Sequence, residues 1–388
     1  MKRETFLVIG FIVMCFNSLY QYSWNALEPL LKEGFNVSVV QIALGFTLFS
    51  VFSSFFQPLG GHFADKDGPR NVGIVASLLA SLGFLGTYFS PSIIYFYVFW
   101  SLGSIGEGIL YGIAANLAMK WFSDRMGFAT GIVSMGFGLG SVVANPLILH
   151  VDNYKVVTLT IGLSELVLVT ALMSLVKYPA SSKGRPPGQV IFTTKFWLIY
   201  VSFVGAVIPL TAISSQLAVI GKNLSPEELT ILISIFPLLS GGMRPIMGRI
   251  ADRVGIVRTT LILNTILLVG SLTLLLGQLV PTTVLIGFAG GSMITLYFNV
   301  AGEIFGTRFS TVNSGILYTG KALGGILGSF VFAYLYTLNV EVSEIYLVLG
   351  SLMGVLALIP VMPRVRAGQR PVGQGSKQGQ GGSQGNLR

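Results

Sequence analysis

The feature that most narrows the fold is a repeated length. Twelve apolar stretches of about twenty residues follow one another, at about 5–26, 39–60, 71–90, 93–119, 127–149, 156–176, 196–220, 228–247, 259–278, 281–301, 311–336 and 344–362. A span near twenty residues crosses a hydrocarbon core about 30 Å thick as a helix. Lipid supplies no hydrogen bonds, so only helices or closed barrels survive there, and this length selects helices. The chain therefore reads as an all-α polytopic membrane protein with twelve transmembrane helices. Composition agrees: 10% of the 388 residues are charged, against about 25% in soluble domains. The apolar run after Met1-Lys-Arg-Glu has no small-residue cleavage site and continues through Trp24, so it reads as a first span and not as a signal peptide.

The net charge of +9 does not point to nucleic acid, because the cations flank the spans. Nineteen Lys and Arg fall in the connections of one side, among them Lys66, Arg70, Lys120, Arg125, Arg253 and Arg258. Only Lys32, Lys155 and Lys222 fall on the other. Positive-inside reasoning then places both termini in the cytoplasm of a cell membrane. Two cations are left inside spans, Arg244 and Lys321.

The chain repeats itself. Pro58-Leu-Gly-Gly61-His-Phe-Ala-Asp65-Lys66-Asp-Gly68 matches Pro245-Ile-Met-Gly248-Arg-Ile-Ala-Asp252-Arg253-Val-Gly255, shifted by 245 − 58 = 187 residues. Gly131-Ile-Val-Ser-Met-Gly136-Phe-Gly-Leu-Gly140 matches Gly315-Ile-Leu-Tyr-Thr-Gly320-Lys-Ala-Leu-Gly324, shifted by 315 − 131 = 184. A parallel repeat of two six-helix halves suggests a transporter with its substrate near the midplane, between the halves. The expected division is residues 1–178, a cytoplasmic linker at 179–195 with Pro186 and Pro187, residues 196–363, and a Gly/Gln/Ser-rich, disordered cytoplasmic tail at 364–388.

The doubled Gly-x-x-x-Asp-Lys/Arg-x-Gly loop resembles the signature of the major facilitator superfamily. The resemblance implies that fold, with two pseudo-symmetric six-helix bundles. It also implies a cytoplasmic latch made by Gly61, Asp65, Lys66, Gly248, Asp252 and Arg253. The bland alternative for Lys66 and Arg253 is that they are topology charges. Further stretches, Tyr22-Ser-Trp-Asn-Ala-Leu-Glu-Pro-Leu, Gly108-Ile-Leu-Tyr-Gly, Met119-Lys-Trp-Phe-Ser-Asp-Arg and Gly315-Ile-Leu-Tyr-Thr-Gly-Lys, are similar to the oxalate/formate antiporter family, relatives of the monocarboxylate transporters.

The repeat also isolates chemistry. Arg244 aligns with Gln57, and Lys321 with Phe137. One half manages without these charges, so the architecture does not need them, and a pair of cations in the other half suggests an anion site. Arg offers a planar fork for a carboxylate, and Lys a compact point charge. Lys321 lies ten residues into a span beginning near Thr311, which is about 15 Å deep. Arg244 lies nearer the cytoplasmic end and has the alternative of snorkelling to water. In the antiporter family an arginine before the span-8 proline and the span-11 lysine clamp the carboxylate, and Arg244 and Lys321 match those places.

Glu107, in span 4 among Gly103-Ser-Ile-Gly-Glu-Gly, is either a proton-coupling carboxyl, a structural ion pair with Lys321 or Arg244, or incidental. It departs from the family, which is apolar here. Glu165 in span 6 reads as a structural hydrogen-bonding group. Spans 1, 4, 7 and 10 line the cavity in proteins of this fold. On that resemblance Gln21, Tyr22, Tyr111 and, more weakly, Tyr297 are substrate-binding candidates. His62 and His150 stand apart without clustered Cys or Asp, so no metal is expected, and no phosphate-binding Gly-Lys-Ser/Thr loop or other cofactor motif is present.

The expected function is secondary active transport of a small carboxylate anion, an exchange of the oxalate/formate type, by a monomer. A proton-coupled monocarboxylate symporter is the alternative. Two cations suit a dianion, or a monocarboxylate if Glu107 is ionised. A membrane sensor would need an output domain, and an enzyme would need clustered nucleophiles or bases.

Overall fold

The computed structural model describes residues 2–180 and 183–362. The tail expected over 364–388, and Ser181 and Ser182 of the linker, lie outside the described residues. Helices α1 (Arg3–Gln21), α2 (Trp24–Phe35), α3 (Val39–Asp67), α4 (Pro69–Phe89), α5 (Ile93–Trp121), α6 (Met126–Ile148) and α7 (Tyr154–Met173) pack as one bundle. Helices α8 (Thr194–Ile220), α9 (Pro226–Gly242), α10 (Arg244–Val254), α11 (Ile256–Leu275), α12 (Leu279–Phe305), α13 (Ser310–Leu338) and α14 (Val340–Leu358) pack as a second. Among the described residues ten helices are long and apolar enough to cross a membrane, and α9 with α10, bent by 40°, makes an eleventh span. The 29-residue α3 occupies the place of the second expected span. Gln41, Ser50, Ser53, Ser54, Gln57 and His62 dilute its apolar character.

Local chemistry sets the ends. Ser38 and Gln41 form a capping box at the start of α3, Ser38 N–H donating to Gln41 Oε1 at 2.9 Å, and Ser225 and Glu228 do the same at α9. The repeated motif is not a loop, as the sequence reading had it. Gly61 to Asp67 continue α3, and Gly248 to Val254 lie within α10. The chain turns only at Gly68 (φ 92°) and its repeat partner Gly255 (φ 108°), where an L side chain would be strained. The spacing of Gly61 and Asp65, four apart on a helix, therefore puts both on one face.

Four expected spans are interrupted among the described residues, the eleventh by a π turn at Ile326–Val331 within α13. The first is interrupted at Tyr22–Ser23, between α1 and α2. The eighth breaks at Met243, where Pro245 supplies no backbone donor. In α7 a widened π turn covers Glu165–Val169. The last break overturns one reading: Glu165 is 1% exposed and neither carboxyl oxygen has a hydrogen-bond partner, so the expected structural hydrogen bond is not made. The extra residue of the π turn rotates the carboxyl inward, against α1 and α4.

Candidate anion site and interdomain latch

The two bundles meet face to face, and five aromatic side chains form a box between them. Tyr111 (α5) stacks on Tyr318 (α13), centroids 5.2 Å apart and planes 21° from parallel. Phe137 (α6) sets its edge against Tyr111 at 5.3 Å, and Tyr22 packs on Phe137 at 5.3 Å. Phe298 (α12) closes the box at 5.5 Å from Tyr318. Such edge and offset contacts are the favoured aromatic geometry.

The two intramembrane cations flank this box. Lys321 Nζ donates to Gln21 Oε1 and to the Tyr318 hydroxyl, both at 2.9 Å. Gln21 belongs to the other bundle, so this contact crosses between halves. Arg244, at the first residue of α10, is 3% exposed and turns inward. Its Nε donates to the Ser240 carbonyl at 3.1 Å, beside the α9–α10 break, and a terminal nitrogen donates to the Ser134 carbonyl at 2.9 Å. The guanidinium lies 5.9 Å from the Phe137 ring centroid. It faces the Tyr111 hydroxyl as well. Glu107 is buried, with Asn17 donating to its backbone carbonyl at 3.1 Å. Glu107 and Lys321 feel each other's charge, but among the described residues no ion pair within 4.0 Å includes Glu107, Lys321 or Arg244.

Of the residues expected here, Arg244, Lys321, Gln21, Tyr22 and Tyr111 come together. Tyr297 does not. Its hydroxyl meets Ser202 and accepts from Asn264 Nδ2 at 2.7 Å, in a fully buried cluster among α8, α11 and α12. The next residue along the helix, Phe298, reaches the box instead, because one residue turns the side chain about 100° around the axis. Replacing Tyr297 with Phe is expected to lower stability by about 0.5–1.5 kcal/mol, since one buried hydrogen bond is lost while Asn264 Nδ2 keeps Ser202 and Gly354 as acceptors. It should leave the KM for substrate unchanged, as thermal unfolding beside transport kinetics will show. Gln57, the repeat partner of Arg244, carries a further signal of the structure. It is wholly buried and neither of its amide atoms has a partner.

At one end the bundles clasp each other reciprocally. Asp65, at the end of α3, accepts from Val312 N–H at 2.9 Å and from the Thr311 hydroxyl at 2.6 Å, at the start of α13. Asp252, near the end of α10, accepts from Gly127 N–H at 2.6 Å and Phe128 N–H at 2.8 Å, at the start of α6. A carboxylate at a helix N-terminus satisfies orphan donors and opposes the helix dipole. Glycine makes the approach possible: a Cβ on Gly61 would lie 2.6 Å from the Thr311 carbonyl oxygen, and one on Gly248 would strike the Gly127 carbonyl. Below this layer Asn116 donates to Ser314 at 3.1 Å and Asn299 to Thr130 at 2.7 Å, again once in each direction.

The basic half of the latch differs from expectation. Lys66 and Arg253 are exposed and are in no ion pair among the described residues. Asp65 instead pairs with Lys120 of α5 at 2.6 Å, with both side chains almost fully buried. Lys120 also donates to the Arg308 carbonyl at 3.0 Å and lies 4.2 Å from the Tyr178 ring centroid. The residue next to Asp65 in sequence leaves the helix on another face, whereas Lys120 rises alongside it from the neighbouring helix. The linker is strapped over this latch: Arg185 N–H donates to the Phe305 carbonyl at 2.8 Å and Arg308 N–H to the Lys183 carbonyl at 3.0 Å.

Two helical bundles that enclose a cationic aromatic site and clasp each other at one end define a membrane transporter, not an enzyme. The chain belongs to the Major Facilitator Superfamily, which it matches over residues 6–220 and again over 198–382. It is 42% identical to an uncharacterized 38 kDa protein in the 23S RNA operon of Thermoproteus tenax, over 92% of this chain and 95% of that one. It is 29% identical to the oxalate:formate antiporter of Oxalobacter formigenes, over 87% of this chain and 85% of that one. In fold it resembles the E. coli fucose:proton symporter, with a TM-score of 0.74 at 16% identity, covering 92% of this chain and 97% of that one.

Proposed function

We propose that this transporter moves small organic carboxylate anions by alternating access, exchanging one for another in the manner of an oxalate/formate antiporter. The observation that carries the reading is that Lys321 and Arg244 flank one aromatic box between the halves and neither touches an acid. A buried cation without a counter-ion is costly in a membrane, and an incoming carboxylate would supply one. Arg244 is held by two backbone carbonyls, which orients its fork towards the box. Lys321 has two of its three N–H groups engaged by Gln21 and Tyr318. The third remains for the ligand. The named activity of the Oxalobacter relative supports the same substrate class.

In this reading the six-span halves, residues 1–178 and 196–363, rock about the site, and the latch holds the cytoplasmic side shut. Both termini lie in the cytoplasm. The hydrogen bonds described between the halves run from Asp65 and Asp252 up to Gln21 and Lys321, which fits a site closed from the latch side.

Glu107 supports a second reading, proton-coupled monocarboxylate symport, because it is a buried carboxyl that acts on Lys321 without contact. Proteoliposomes separate the two. An exchanger takes up labelled oxalate or formate only when loaded with unlabelled carboxylate, and an imposed acid-outside gradient adds little. Uptake into empty vesicles, driven by that gradient and lost in Glu107→Gln, would replace exchange with symport.

A further inference from the structure

The second latch, at Asp252, adjoins a cleft with mixed chemistry. Phe128, Pro245, Ile246 and Ile250 wall an apolar slot of about 240 Å³, with Arg249 and Arg253 at its end. Ile246 and Ile250 are exposed on this face of α10. The slot opens into a cleft of about 290 Å³ lined by Arg125, Phe128, Arg249, Asp252 and Arg253. Three guanidinium groups there face one carboxylate, and both oxygens of Asp252 already accept backbone N–H groups. Arg125 touches Asp124 at 3.4 Å, an acid it shares with Arg3. Arg249 and Arg253 have no ion pair within 4.0 Å among the described residues. Arg249 lies 5.9 Å from the Phe128 ring centroid.

We propose that this cleft binds an anionic phospholipid, its phosphate on Arg125, Arg249 and Arg253 and an acyl chain along the Phe128–Ile246–Ile250 slot, and that the bound lipid holds the latch side closed. Charge complementarity asks for an anion, and arginine forks suit phosphate. Arg125 precedes the first residue of α6, and Arg249 and Arg253 lie in the second half of α10, on the latch side of the spans. The apolar slot continues from them into the membrane-spanning part of α10, which favours a lipid over a soluble anion. The coupling to the latch follows from connectivity. Arg125 belongs to the first bundle, and Arg249 and Arg253 to the second, so one phosphate bridges the two beside Asp252. At the Asp65 latch the corresponding cleft has Pro186, Pro187 and Gly188 of the linker in its wall, whereas among the described residues no linker residue lines the Asp252 cleft.

The test uses the full chain in nanodiscs of phosphatidylcholine with increasing phosphatidylglycerol. Spin labels at Ser123→Cys and Val254→Cys, in a Cys15→Ser background, report the distance across the latch side. Phosphatidylglycerol should raise the short-distance population, and the concentration needed should rise about thirtyfold in Arg249→Gln/Arg253→Gln, as expected for two basic side chains at a membrane surface. An equal response to phosphatidylcholine alone, or an unshifted response in the variant, overturns the proposal. The same population shift from inorganic phosphate in detergent would overturn the lipid assignment in favour of a soluble anion. If the double variant does not fold, Arg125→Gln on the other bundle must weaken the response in the same direction, and an unchanged response again overturns it.

Discussion

Replacing Lys321 with Gln is expected to lower kcat/KM for carboxylate exchange by about thirtyfold or more while the protein stays folded. The physical basis is a charge removed and a donor kept. Gln retains an N–H group for the Gln21 side chain, so the contact between halves can persist. The substrate carboxylate then faces one cation instead of two in a buried site. Truncating one member of a buried charge pair costs about 2–5 kcal/mol, or roughly thirtyfold to several thousandfold. Proteoliposome exchange of labelled oxalate and formate, beside a thermal unfolding curve, measures both parts. Near-normal exchange with normal stability would remove Lys321 from the site and leave its interaction with Glu107 as a structural one. Arg244→Lys should also be severe, because a lysine ammonium cannot bond the Ser134 and Ser240 carbonyls and still present a planar fork.

The second large effect is an inequality between two latches that the sequence repeat makes look equivalent. Asp65→Asn should shift the population away from the latched state far more than Asp252→Asn. Asp65 neutralises Lys120, and both side chains are buried. Removing its charge strands a buried ammonium, at a cost of about 3–5 kcal/mol. Asp252 is more exposed, accepts from two backbone N–H groups and has arginines beside it but no ion pair within 4.0 Å among the described residues, so its charge contributes about 0.3–1 kcal/mol as a helix-terminal anion. The repeat partner of Lys120 is Ile304 at the 184-residue shift, and so the second latch has no buried base at that place. Spin-label distances across the latch side should show the latched fraction falling at least tenfold further in Asp65→Asn. Adding Lys120→Met to Asp65→Asn should restore part of it, since the stranded charge is then gone. Equal effects of the two single substitutions would show that Lys120 contributes nothing to closure.

The amount legible beforehand follows the range of the interaction. Membrane spans, their approximate number and the two-fold repeat depend on local composition and on spacing along the chain. They could be read without coordinates, as could Arg244 and Lys321, because a cation in an apolar span is anomalous wherever the span points. Asp65 and Asp252 were legible for a similar reason, each tied to a glycine four residues earlier. The breaks at Tyr22–Ser23 and Met243 were less so, since the apolar character continues through them.

Sequence alone thus determined the class of molecule, the two halves and the charges that must find partners, because each is written in one contiguous stretch. Tertiary structure alone decided the partners: Lys120 rather than Lys66 for Asp65, Phe298 rather than Tyr297 for the box, Gln21 for Lys321, and none for the Glu165 carboxyl. Those choices depend on how far each helix is rotated about its axis and which neighbour it meets. A rotation of one residue, about 100°, exchanges one side chain for the next, and no pattern along a single span records where the opposing helix lies.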